Sequence, residues 1–192
     1  MVPAPTEMTQ ARALPALFTT GSSASTELER EVVVLFEAHR ARLLAYILAF
    51  GISSHDGEEI LQEVFLSLFR HLQMGRSRHN LRGWIFRVAH NLALKHRQAN
   101  QRWQNALEAN ATASESYADP SPNPEEHALS VQRQMRLTSV VSALPEQDQW
   151  CLRLRAEGLR YREIANVVGI SLGSVSISLT RSLARLMRAG EL

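Results

Sequence analysis

Apolar residues return every three or four positions along most of the chain, and no stretch shows the strict alternation of a half-buried strand. The positions Leu28, Val32, Leu35, Phe36, His39, Leu43, Tyr46, Ile47 and Phe50 mark one long amphipathic helix that stops at Gly51. A second helix begins near Ser54, with Ser54, His55 or Asp56 as its cap, and buries Ile60, Leu61, Val64, Phe65 and Leu68. After a polar loop, about residues 73–80, a third helix runs from Leu81 to about Gln98 with Leu81, Trp84, Ile85, Val88, Ala89 and Leu92 inward and Phe86 nearer its polar side. The pattern then fails. From Asn100 to Glu126 the chain is rich in Asn, Ala, Ser, Glu and Pro, and Pro120, Pro122 and Pro124 in close succession cannot sustain a packed element.

Periodicity resumes near Ala128 with Leu137, Val140, Val141 and Leu144 on one face. Pro145 opens the next helix, which carries Cys151, Leu152 and Leu154 and ends at Gly158. Tyr161, Ile164, Ala165 and Val168 then form one face of a short helix, and Gly169 supplies a positive-φ stop. Ser171 is placed to cap a last helix whose Leu172, Val175, Leu179, Leu183 and Leu186 keep the helical period. Two helices joined this way make a helix-turn-helix, whose second helix enters the DNA major groove. The predicted fold is all-α, with two small helical domains on a flexible linker. Residues 1–26 form a disordered extension, 27–99 a helical bundle, 100–127 the linker and 128–192 the helix-turn-helix domain.

With 45% apolar residues over 192 positions, the composition is that of an ordinary globular chain. The net charge of +2 hides a strong asymmetry. No acidic residue falls between Glu63 and Glu108, whereas Arg70, Arg76, Arg78, Arg82, Arg87, Lys95, Arg97 and Arg102 all do, which points to an anionic partner. Cys151 is the only cysteine, so an intrachain disulfide or a cysteine zinc cluster is ruled out. His71, His79, His90 and His96 share one stretch, but their spacing matches no metal-binding motif, and no metal site or cofactor is expected. No nucleophile or carboxylate pair stands in a catalytic motif, so the chain is not expected to be an enzyme. Apolar runs fall far short of the roughly 20 residues that span a bilayer, and the N-terminus lacks the order of a secretion signal, so a cytoplasmic protein without membrane insertion is expected.

Three segments, in this order and with a linker between the second and third, resemble the extracytoplasmic-function sigma factors of the sigma-70 superfamily. Asp56-Gly57-Glu58-Glu59-Ile60-Leu61-Gln62-Glu63-Val64-Phe65-Leu66 resembles the family's region 2.2. Leu81-Arg82-Gly83-Trp84-Ile85-Phe86-Arg87-Val88-Ala89-His90-Asn91-Leu92-Ala93 resembles regions 2.3 and 2.4. Ala143-Leu144-Pro145-Glu146-Gln147-Asp148 and Gly158-Leu159-Arg160-Tyr161-Arg162-Glu163-Ile164-Ala165 resemble region 4. The resemblance implies an alternative sigma factor that binds core RNA polymerase, recognises −10 and −35 promoter elements and helps open the −10 region. It implies that Asp56, Glu59, Gln62 and Glu63 dock on the clamp helices of the largest polymerase subunit. Arg76, Arg78, His79, Asn80, Arg87, His90, Asn91 and Lys95 would handle the melted −10 strand, because phosphates need cations and extruded bases need amide or imidazole groups and a stacking surface. Phe86 is the expected stacking ring, with Trp84 in the core. Region 4 would touch the flap of the second-largest subunit and read the −35 element with Arg162, Ser171, Ser174, Ser176, Ile177, Ser178, Arg181 and Arg185. The acidic linker would pass through the active-centre cleft of the polymerase, unless it is an inert tether.

The recognition helix departs from the family pattern. Ser176 and Ser178 stand where cations are usual, which predicts weaker or differently specified −35 binding, with Arg181, Arg185 and Arg162 on phosphates. Two rival readings stay open: a stand-alone helix-turn-helix regulator, and a sigma-like adaptor that sequesters an anti-sigma factor. The first leaves the segment from Asp56 to Leu66 unexplained.

Overall fold

A computed structural model describes residues 23–108 and 135–190, and every regular element among them is helical. Helix α1 spans Ser23–Leu48, α2 Ser54–Gln73 and α3 Leu81–Glu108. Helix α4 covers residues 135–142 of the described chain, followed by α5 Glu146–Ala156, α6 Tyr161–Val168 and α7 Leu172–Gly190. The all-α expectation holds. Expectations for residues 1–22 and 109–134, including most of the linker, fall outside the described residues.

The first unit is α1, α2 and α3, each packed against the other two. Leu43, Ile47, Val64, Leu68, Ile85 and Ala89 are fully buried between the three. Phe36 meets Phe65 edge to face at 5.0 Å, and Tyr46 meets Phe86 likewise at 5.5 Å, the geometry aromatic quadrupoles favour. Gly51 takes φ +75° to end the α1 turn. The cap of α2 is Ser53, one residue earlier than expected: its hydroxyl accepts the Asp56 N–H at 3.1 Å.

Two boundaries move. Helix α1 starts at Ser23, inside the segment expected to be disordered, and α3 continues ten residues past Gln98 to Glu108. Residues 99–108 contain neither Pro nor Gly, so nothing in their backbone chemistry stops a helix already under way.

In the second unit, Pro145 is the N-cap of α5 rather than its first helical residue. Gly158, at φ +80°, turns the chain into α6, and Gly169, at φ +78°, ends α6 as expected. Glu163 accepts the Arg160 N–H at 2.6 Å, closing the start of α6. Ser171 accepts the Ser174 N–H at 3.0 Å and caps α7. The axes of α6 and α7 meet at 104°, within the range of a helix-turn-helix. Ile164, Val167, Val175 and Leu179 lock the two helices onto Cys151, Leu154 and Leu159. The units also touch each other, since α3 packs against α6.

Candidate nucleic-acid interface

The loop 74–80 and the first turns of α3 form the cationic face. Arg76, His79, Asn80, Arg87 and Asn91 are exposed on it. Asn80 adopts φ +55° and its side-chain oxygen accepts the Gly83 N–H at 3.2 Å, so the residue expected to meet a base also caps α3. Gly83 is required there: a Cβ on it would lie 2.4 Å from the Asn80 side chain. Arg78 is engaged elsewhere, its Nε donating to Glu31 of α1 at 3.1 Å. His79, Asn80, Gly83, Trp84 and Arg87 line a pocket of about 210 Å³ whose other wall is Glu163 and Asn166 of α6.

The structure revises three expectations on α3. Phe86 is 1% exposed and belongs to the core, contrary to its expected stacking role, whereas Trp84 packs against the core as expected, half-buried and with its ring 4.6 Å from His71. His90 does not project from a polar face. It is fully buried, with Nδ1 2.7 Å from the Tyr46 hydroxyl and Nε2 without a hydrogen-bond partner among the described residues. Burial, then the nearby Arg97 charge, push its pKa down to about 4, so it is neutral at physiological pH. Lys95 faces α2, in a groove shared with Asp56, Glu59, Ile60, Glu63, Leu92 and His96.

That groove borders the acidic face of α2. Glu59, Gln62 and Glu63 are exposed, Asp56 is half-buried, and all four lie off the Ile60, Leu61, Val64 and Leu68 stripe. Asp56 is held by the Ser53 hydroxyl at 2.7 Å, and Glu59 lies 3.4 Å from His55. Gln62 and Glu63 are exposed beside Leu66, itself half exposed to solvent, and the Glu63 carboxylate accepts the Ser67 hydroxyl at 3.4 Å and lies 3.7 Å from Arg70.

Across α6 and α7 the expected reading face divides. Arg162 of α6 and Ser176, Ile177 and Arg185 of α7 are exposed, with Ile177 at 66%. Ser171 and Ser174 hydrogen-bond each other at 2.8 Å within the cap. Ser178 is buried, contrary to its expected DNA contact, because it donates to Asp148 at 2.6 Å inside the helix-turn-helix core. Arg181 joins the same carboxylate from the rim, with Nε and Nη2 each 2.8 Å from an Asp148 oxygen, a bidentate geometry. Asp148, fully buried on α5, thereby organises two residues expected to touch DNA.

Sequence reasoning missed Asp148, Trp150, Arg82 and Arg97 as organising residues. Arg82 Nη2 donates to the Gly158 carbonyl at 2.9 Å, and Arg97 pairs with Glu146. Both bonds cross between units. The sequence carries no local signal for these roles: Arg82 and Arg97 read as part of the cationic block, and Asp148 and Trp150 interrupt no apolar stripe.

Residues 35–103 match the family model for Sigma-70 region 2, and residues 134–186 match that for Sigma-70, region 4. Together the two matches cover most of the described residues. The chain belongs to the extracytoplasmic-function sigma factors of the sigma-70 family. It is 31% identical over 128 residues to a probable RNA polymerase sigma factor, RfaY, of Xanthomonas campestris, a match covering 66% of this chain and 32% of that protein. This chain therefore spans about a third of that relative's length. Over 154 residues it is 26% identical to the ECF RNA polymerase sigma-E factor of Escherichia coli K12, covering 77% of each. Its fold is similar to that of the sigma factor RpoE of Bartonella quintana, solved in complex with the anti-sigma factor NepR, with a TM-score of 0.60, 14% identity, and coverage of 87% of this chain and 98% of that one.

Proposed function

We propose that this sigma factor binds core RNA polymerase through the exposed face of α2, directs it to a −35/−10 promoter and holds the opened −10 strand on the loop 74–80 and the start of α3. The observation that carries this reading is the separation of two faces on one rigid bundle. The acid-rich α2 face with Glu59, Gln62 and Glu63 suits a protein partner, and the acid-free face with Arg76, His79, Asn80, Arg87 and Asn91 suits a nucleic acid. A stand-alone DNA-binding regulator has no use for the first face. The exposed Arg162, Ser176, Ile177 and Arg185 of the helix-turn-helix supply the −35 contacts, with fewer cations than a tight duplex reader carries. The polymerase performs the chemistry; this chain supplies specificity from the cytoplasmic side. An anti-sigma factor is proposed as a regulator by analogy with the Bartonella quintana complex.

The test is co-purification with core polymerase and run-off transcription from a candidate promoter. The double variant Gln62→Ala, Glu63→Ala alters two exposed side chains, so it should fold normally yet lose polymerase binding and specific transcripts. Normal transcripts from that variant would refute the docking assignment.

A further inference from the structure

The loop before α3 has no apolar anchor of its own. Every residue from Gln73 to Asn80 is exposed, so polar ties decide where Arg76, His79 and Asn80 stand. Its first half returns to α2. The Gly75 N–H donates to the Leu72 carbonyl at 2.9 Å and the Arg76 N–H to the His71 carbonyl at 3.2 Å, while the Ser77 carbonyl lies 3.0 Å from His71 Nε2 and accepts its proton. Its last residue belongs to α3, since Asn80 accepts the Gly83 N–H with its side chain and the Trp84 N–H with its carbonyl. Between these halves stand Arg78 and His79. The His79 N–H reaches only the Ser77 hydroxyl, at 3.1 Å, whereas Arg78 Nε donates to both carboxylate oxygens of Glu31, at 3.1 and 3.3 Å. That bond ties the middle of the loop to α1, across 47 positions of sequence.

Charge alone does not favour this pair beside a face that takes phosphates. A carboxylate there repels them, and an arginine bound to it is a cation withheld from them. What the pair supplies is position. A loop fixed to α2 at one end and to α3 at the other can still swing its middle, and a third tie, to α1, stops that swing. A strand that meets a loop already in place does not bear the cost of ordering it. We infer that Glu31 is a positioning residue for the strand-holding loop, and that Arg78 is the strut through which it acts rather than a phosphate contact. This rests on the function proposed above for residues 74–80, and it moves Arg78 out of the set that touches DNA.

The two roles of Arg78 give opposite signs in one experiment. The full chain is assembled with core polymerase, and its affinity is measured for a single-stranded DNA oligonucleotide of roughly 20 nucleotides carrying a candidate −10 sequence. If Arg78 bound phosphate, Glu31→Ala would free a cation and tighten binding, and Arg78→Ala would lower the salt slope by about one unit. As a strut, the pair gives a different pattern. Glu31→Ala and Arg78→Ala each weaken binding by about two- to fivefold, the scale on which an exposed ion pair holds its partners, and leave the salt slope unchanged. The double variant is no weaker than either single one, and the exchange Glu31→Arg with Arg78→Glu restores binding, which a misfolded variant would not do. The second readout is backbone order in the full chain alone, by NMR relaxation. In each single variant the order parameters of residues 77–80 fall from about 0.85 towards 0.6 while those of α2 and α3 hold, and the exchange brings them back. Tighter binding in Glu31→Ala, a slope lowered by about one unit in Arg78→Ala, losses that add in the double variant, or loop order unchanged in both single variants overturns the strut. Co-purification reads the docking assignment separately, and a parent holoenzyme that fails to bind the oligonucleotide overturns the strand-holding function while loop order still reports on the pair.

Discussion

At the scale of single residues, the second unit turns on one buried carboxylate. Asp148 accepts from Ser178 and from both arms of Arg181, and its loss leaves a cation and a hydroxyl without the partner that fixes them. Breaking a buried pair by removing one member costs about 3–5 kcal/mol, and the half-exposed Arg181 places this case at about 3. Asp148→Ala should therefore lower the unfolding free energy of the C-terminal unit, read from urea denaturation, by that amount, and a loss below about 1 kcal/mol would contradict the network. Arg181 and Arg185 then separate cleanly. Arg181→Ala should register mainly as lost stability. Arg185→Ala should leave stability within about 0.5 kcal/mol but reduce the salt slope of DNA binding by about one unit. The burial of Ser178 was legible in principle, since Val175, Ser178, Leu179, Ser182 and Leu186 are spaced as one helix face. A reading that admits only apolar side chains to a core passes over it.

At the scale of elements, α3 shows why one stripe was found and a second was missed. The sequence displays Leu81, Trp84, Ile85, Val88, Ala89 and Leu92, and those positions do face inward or are half covered. A second row, Phe86, Ala89, His90, Ala93 and Arg97, is also covered, because α1 and α5 close over it. A helix packed on two sides needs residues with polar ends to satisfy or cover, and those read as solvent-facing until the neighbours are known. The start of α3 carries its own prediction. Asn80→Ala removes the cap and should cost about 1 kcal/mol. Gly83→Ala pushes a methyl into the Asn80 side chain and should cost a similar amount, about 1–2 kcal/mol, while displacing the loop that holds His79. Thermal unfolding measures the first effect, and oligonucleotide binding the second. A Gly83→Ala protein with unchanged midpoint and affinity would show that the Asn80 conformation is not needed.

At the scale of the whole molecule, the helices and their order follow from local period, whereas the contact between the units has no local signature: Phe50 and Trp150 are a hundred positions apart and neither breaks its own helix pattern. The titrating groups at that contact give it a pH dependence whose sign can be worked out. His90 is faced by Tyr46 and Phe50 from the first unit, by Trp150 and Glu146 from α5, and by Arg97 on its own helix. Its pKa with the units in contact is about 4, against an ordinary 6.5, mainly because burial disfavours the imidazolium. Above pH 6.5 the ring is neutral in both forms and adds no pH dependence. As the pH falls from 6.5 towards 4, any form that lets water reach the ring takes up a proton that the buried ring does not, so the contact weakens by up to about tenfold per pH unit. Glu146 acts in the same direction at lower pH: the Arg97 bond holds its pKa below the ordinary value, so its contribution is complete above about 4.5 and is lost as the pH drops through its depressed value. Acid should therefore weaken the contact between the units in two overlapping stages. The distance between spin labels on cysteines placed at the exposed Gln98 and Gln147 should lengthen progressively from pH 6.5 downward, and His90→Gln should remove the upper stage while leaving the lower one. A distance that stays constant to pH 5 in the parent chain would show that the His90 ring remains sealed by Tyr46 and Phe50 when Trp150 leaves, and that the seat belongs to the first unit alone.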